Sequence, residues 1–197
     1  MRSLPGSPVD RVLTACLIIA PLVYLIADLL YATRGWDDPT AAVFHVLGAI
    51  GYTLVLLRLV TWGDGAPAAI LLVVGVLGAA GNVAYGFNTI HVSFGDTDLV
   101  DAAGAAVLIK PLGLCFPLTL LLAAFVLSRV QPAWIVAALA VAGVAWPVAH
   151  IANIGWLAVA VNVALVVTFG RMAMRPPAAE IQDFESVGTQ NRSLSPR

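Results

Sequence analysis

The stretch VLTACLIIAPLVYLIADLLYA, residues 12–32, decides the fold; Asp28 is its only charged residue. A helix needs about 20 mostly apolar residues to cross the hydrocarbon core of a bilayer. Lipid offers no partner to a backbone N–H or C=O, so only a helix or a closed barrel can cross it. No strand-like alternation supports a barrel, so this stretch reads as a transmembrane helix. It is long and no small-residue cleavage site follows it, so it reads as a retained span rather than a cleaved signal.

Five more segments meet the same test. They run from Thr40 to Trp62, Pro67 to Ile90, Ala102 to Ser128, Pro132 to Ile151 and Ile154 to Met174. The expected fold is therefore an all-α, polytopic bundle of six transmembrane helices. Residues 1–11 form a short leading segment and residues 12–174 the membrane domain. Residues 175–197 are polar and rich in Pro and Ser, with too few large apolar side chains to pack, and read as a disordered tail. The turn around Ala152-Asn153 is so short that the fifth and sixth helices must be antiparallel neighbours.

Composition agrees. Of 197 residues, 60% are hydrophobic and 11% charged, against about 25% charged in soluble domains. Too little charge is present to cover a surface in water. The net charge of -1 gives no basic field for nucleic acid. Cys16 and Cys115 both fall in apolar runs and do not suggest a disulfide framework.

Positive charge sets the expected orientation. Arg2, Arg11, Arg58, Arg129, Arg171, Arg175, Arg192 and Arg197 all fall on one side of a six-span chain, and Arg34 on the other. Both termini are therefore expected in the cytoplasm. The richness in Ala, Val and Gly suggests a bacterial plasma membrane, with the lipid bilayer as the first partner and a homodimer as an expected assembly.

Polar groups inside hydrocarbon are costly and usually face a bundle interior or a cavity. Asp28 lies near the outer end of the first helix, with Tyr24 and Tyr31 on its face. His45 and Tyr52 share a face of the second helix. Asn82, Tyr85 and Thr89 form a stripe on the third, and His91 closes it. Lys110 lies about 12 Å into the fourth at ~1.5 Å per residue. His150 and Asn153 close the fifth, and Asn162 lies in the sixth. Asn82-Val83-Ala84 recurs as Asn162-Val163-Ala164, a short match in a chain so rich in Ala and Val. The histidines, Asp28, Asn88, Asp101 and Asn153 thus gather in the outer half. Lys110 can extend its ammonium towards them.

Two further patterns bear on packing. Gly48/Gly51 and Gly75/Gly78 suit close helix crossings. Pro111, Pro117 and Pro147 interrupt the fourth and fifth segments and release backbone carbonyls, including that of Gly113. Those carbonyls either line a cavity or are capped by neighbouring side chains.

These residues point first to a small-molecule binding or transport protein. Its polar cavity opens to the extracytoplasmic side and is lined by Tyr24, Asp28, His45, Tyr52, Asn82, Tyr85, Lys110, His150 and Asn153. A structural Asp28–Lys110 pair is an equal expectation for those two groups. The second reading is a metal-dependent intramembrane enzyme in which His45, His91 and His150, with Asp28, bind zinc and leave a position for water. No His-Glu-x-x-His or Gly-x-Ser-x-Gly motif accompanies them, and both signatures carry specific mechanisms. Haem b held by His45 and His150 is a third reading, and an accessory subunit without chemistry of its own a fourth. The leading expectation includes no cofactor.

Overall fold

The structure, a computed structural model, describes residues 6–175. The tail expected to be disordered lies almost wholly outside the described residues. Among them, six helices are long and apolar enough to cross a membrane. They are α1 (Pro8–Arg34), α2 (Pro39–Val60), α3 (Gly65–Ser93), α4 (Ile109–Leu127), α5 (Ala133–Ile151) and α6 (Gly155–Met174). The protein is a multi-pass α-helical membrane protein.

The first two helices start where the chain provides caps. Ser7 accepts a hydrogen bond from the Asp10 amide at 3.1 Å, with Pro8 opening α1. Asp38 does the same for Ala41 at 2.7 Å, with Pro39 opening α2. In both, a side-chain oxygen satisfies an orphan N–H, and proline stands where no donor is needed. The α5–α6 turn is made by Asn153 at φ 55°, and the Ile154 amide donates back to the Ala149 carbonyl at 2.7 Å. Asparagine is one of the few residues besides glycine that closes a helix in this conformation.

Each helix packs on its sequence neighbours, and α6 returns to pack on α1. The result is an up-and-down ring. One end carries the start of α1 and the end of α6. The other carries residues 35–38, 94–103 and 152–154, and is called the distal end below. Large side chains from all around the ring fill the centre: Leu17, Tyr24, Tyr52, Phe116, Leu139, Trp146, Leu165 and Phe169. The outward faces are also apolar, with Leu47, Val73, Phe87, Phe125 and Val141 exposed. A helix apolar all round is what lipid on one side and a packed core on the other require.

Glycine sets the closest crossings. A Cβ on Gly51 would lie 2.8 Å from Ala20 Cβ, and one on Gly48 3.1 Å from Tyr24 Cα. On the other side of α2, a Cβ on Gly75 would lie 2.5 Å from the Leu56 methyls. Gly48 and Gly51 thus sit at the α1–α2 crossing, Gly75 at the α2–α3 crossing and Gly78 against Phe116 of α4, as close packing in membranes requires.

The fourth span departs from expectation. It opens as a 3-10 turn over Gly104–Leu108 and becomes α-helical at Ile109. Gly104 has φ 83°, a conformation closed to most side chains. Pro111 therefore falls in the first turn of α4 and does not interrupt it, because an amide there has no partner within the helix. Pro117 and Pro147 do lie inside their helices, as does Pro21 in α1.

Arg58 reads in sequence as a charge marking the cytoplasmic flank. In the structure it is buried and donates to Asp10 Oδ1 at 2.7 Å, tying the end of α2 to the start of α1. Its guanidinium also lies 5.1 Å from the Trp62 ring. Asp10→Ala is expected to lower stability by about 1–3 kcal/mol, the cost of removing a buried charged partner while Trp62 remains. Equilibrium unfolding in detergent measures this, and a midpoint equal to wild type would show the pair to be idle.

Candidate functional site

Two polar networks meet on α1 in the distal half of the ring. The first is built on Asn82 of α3. Its amide nitrogen donates to the Gly78 carbonyl at 2.8 Å and lies 3.5 Å from the Gly113 carbonyl of α4. Gly113 is the carbonyl that Pro117 frees, so the released acceptor is capped by a neighbouring side chain. With its nitrogen so committed, Asn82 presents Oδ1 to α1. The Tyr24 hydroxyl donates to it at 2.9 Å. The hydroxyl proton being used, Tyr24 Oη can only accept from His45 Nε2 of α2, 3.1 Å away. This sequence of donors fixes His45 as the Nε2–H tautomer. Its Nδ1 is buried without a hydrogen-bond partner.

The second network is built on Asp28, one helical turn along α1 and fully buried. Asn162 of α6 donates to Asp28 Oδ2 at 2.5 Å. His150 Nε2 of α5 lies 3.4 Å from Asp28 Oδ1. The other ring nitrogen of His150, Nδ1, lies 2.9 Å from the Trp146 carbonyl. A carbonyl only accepts, so Nδ1 carries a proton.

Aromatic rings enclose the pair. Trp146 stacks on His150 with centroids 4.0 Å apart, and Trp36 meets the same imidazole edge-on at 5.5 Å. Trp36 also stacks on Tyr31 at 5.1 Å, and its indole N–H donates to the Asn153 carbonyl at 3.2 Å. Trp36 thus folds from the α1–α2 connection over the distal end of the site. Deeper in the ring, Tyr52 packs edge-on to Tyr24 and Phe116, with a buried hydroxyl that has no partner. It borders a cavity of about 20 Å³ shared with Gly75, Thr119 and Phe169, room for about one water.

Most residues singled out from sequence converge here: Tyr24, Asp28, His45, Tyr52, Asn82 and His150, with Tyr85 5.9 Å from the His45 ring. Asn153 takes part through its backbone carbonyl. Lys110 does not join them. It is exposed and paired with Asp101 in the connection before α4, so the partners of Asp28 are His150 and Asn162 rather than Lys110. His91 is half-exposed, with Nδ1 3.3 Å from Asp96 Oδ2. Among the described residues, no three of His, Cys, Asp and Glu are grouped as a metal ion would require. Asn88 has a structural task, holding the α3–α4 connection through Asp98 at 2.9 Å and the Leu99 amide at 2.7 Å.

Sequence reasoning passed over Trp36 and Trp146. Trp146 had a signal, since it precedes His150 by four residues and so shares its helix face. Trp36 had none, because its position depends on how a connection folds back.

Fold and site together define a multi-pass membrane protein with a buried acid–imidazole–carboxamide centre. The chain matches no known family model, no curated protein and no solved structure.

Proposed function

We propose that this protein binds or moves a small solute through the polar centre at the distal end of the ring. Both termini face the cytoplasm of a bacterial plasma membrane, and the centre is reached from the extracytoplasmic side. One observation carries the reading: a fully buried carboxylate, Asp28, is met by an imidazole from α5 and a carboxamide from the neighbouring α6. An ionisable group at the centre of a membrane helix costs roughly 2.5–3.5 kcal/mol on insertion scales. Intramembrane acids with named partners mark solute and proton pathways, and the arginine asymmetry supports the orientation.

The test is a thermal-stability screen of the purified chain against cations, anions and zwitterions, followed by flux in proteoliposomes. A solute that stabilises wild type and not Asp28→Asn is the expected result. Solute responses that are the same in both would sink the role of the carboxylate. The reading of His45, His91 and His150 as metal or haem ligands is tested on the same preparation: stoichiometric zinc or a Soret band supports it, and neither retires it.

A further inference from the structure

We infer that Asp28 and His150 hold one exchangeable proton between them, and that its loss releases the end of α5 from α1. This rests on the reading of the polar centre as functional, and it names the proton as one of that centre's ligands.

The geometry leaves few alternatives. His150 Nδ1–H is spent on the Trp146 carbonyl. What faces Asp28 Oδ1 at 3.4 Å is therefore Nε2, and both atoms are buried and otherwise without a hydrogen-bond partner. Without a proton on either atom, a nitrogen lone pair confronts a carboxylate in a buried site, and nothing attracts the two groups. With one proton, two forms account for the contact. Either Oδ1–H donates to a neutral imidazole, or Nε2–H of an imidazolium donates to a carboxylate. Both forms are neutral as a pair, and they differ only in which of the two atoms holds the proton. Asp28 is fully buried and its partner almost so, so the gap has room for a proton and for nothing larger.

The other groups around the pair are accounted for. From α1 come Tyr24 and Tyr31, and from α2 His45, whose Nε2–H is already committed to Tyr24. From α3 comes Tyr85, beside His45. α4 contributes Phe116 and α6 Asn162, neither of which titrates. No lysine or arginine joins the networks just described, so the shared proton is what neutralises Asp28.

The consequence of losing it is mechanical. The proton that leaves is the one facing Asp28, and His150, with a side chain 9% exposed against 0% for Asp28, is the member of the pair nearer solvent. Asp28 then keeps its negative charge and its bond from Asn162, while His150 is left with a lone pair pointing at that charge. Pro147 lies three residues before His150 and removes one backbone hydrogen bond from the last turns of α5. That short end, residues 148–151, is the part of the ring best able to swing away. Trp36 rests on His150 and on the Asn153 carbonyl beyond it, so it moves with them.

The experiment uses the full chain in lipid nanodiscs, titrated across about pH 5 to 8, the range in which imidazoles change charge. Nitrogen NMR reports the His150 ring, infrared difference spectra report the Asp28 carboxyl, and the part of the five-tryptophan fluorescence that Trp36→Phe removes reports the distal cover. Coupled groups titrate as a pair. The expected result is one step seen by all three probes together. Asp28→Asn should remove the carboxyl signal and shift the His150 step, while Asp28→Glu should keep the steps joined. An imidazole that titrates without any carboxyl change, or a His150 step unmoved by Asp28→Asn, overturns the inference. So does a wild-type chain in which neither group changes. Wild type alone decides the matter if a variant fails to fold. The solute screen is scored separately: a joined step in a chain that responds to no solute leaves the proton site standing and the solute reading fallen.

Discussion

Gly81→Ala is expected to separate α3 from α4 and lower stability by about 3 kcal/mol or more. The new Cβ would lie 2.2 Å from the Gly113 nitrogen and 2.3 Å from the Leu112 carbonyl carbon. Both are backbone atoms, so no rotamer change relieves the contact and α4 itself must shift. Overpacking of a core costs typically 1–3 kcal/mol even where side chains can yield. Gly78, one turn earlier, is nearly as tight, since its Cβ would lie 2.6 Å from the Phe116 nitrogen. A shift of α4 also pulls the Gly113 carbonyl away from Asn82 and loosens the Tyr24–His45 network with it. Gly113→Ala is the matched control, because its Cβ would meet nothing within 4 Å. It is expected to be neutral or slightly stabilising, by up to about 1 kcal/mol, the helix-propensity gain of alanine over glycine. Unfolding midpoints in detergent, read by circular dichroism, separate the two. Equal midpoints would show that the α3–α4 crossing is not held at backbone contact.

The contrast between these glycines shows what the chain discloses and what it withholds. Spans were legible because a membrane helix needs only length and apolarity. The second was expected at Thr40 to Trp62 and the sixth at Ile154 to Met174, against Pro39–Val60 and Gly155–Met174 in the structure. The centre was legible in part for the same reason. Tyr24, Asp28, His45, Asn82 and His150 cannot face lipid cheaply, so they had to face one another. Which partner each one takes was not legible. Helices apolar on every side show no preferred face, so nothing in the sequence says that α1 sits with α6 or that His150 rather than Lys110 turns towards Asp28. Lys110 has a long stem that reaches an exposed aspartate as easily as a buried one. Arg58 misled in the opposite sense: at the end of an apolar run it looks like a flanking charge, and only the return of α1 beside it supplies Asp10.

Asp28→Ala is expected to cost about 3–5 kcal/mol, the penalty for removing one member of a buried polar pair. It leaves the Asn162 amide and His150 Nε2 facing a small apolar void. Asp28→Asn should behave differently. The introduced carboxamide has the same volume, can accept from Asn162 and can donate to His150 Nε2, while His150 Nδ1–H stays on the Trp146 carbonyl. Every group remains paired, so the expected loss is under about 1 kcal/mol, in line with the modest net worth of single hydrogen bonds. The variant stays folded and cannot release a proton, which makes it the informative one for function. His150→Ala completes the cycle. Because Asp28 and His150 touch, Asp28→Ala and His150→Ala together should cost less than the sum of the two, by about 0.5–3 kcal/mol. Strict additivity would mean that the pair carries no interaction energy. A carboxamide as damaging as alanine would mean that the carboxylate–imidazolium form carries the pair, with the proton resting on His150. A stable Asp28→Asn chain in which Trp36 fluorescence no longer responds to pH would tie that proton to the cover over the site.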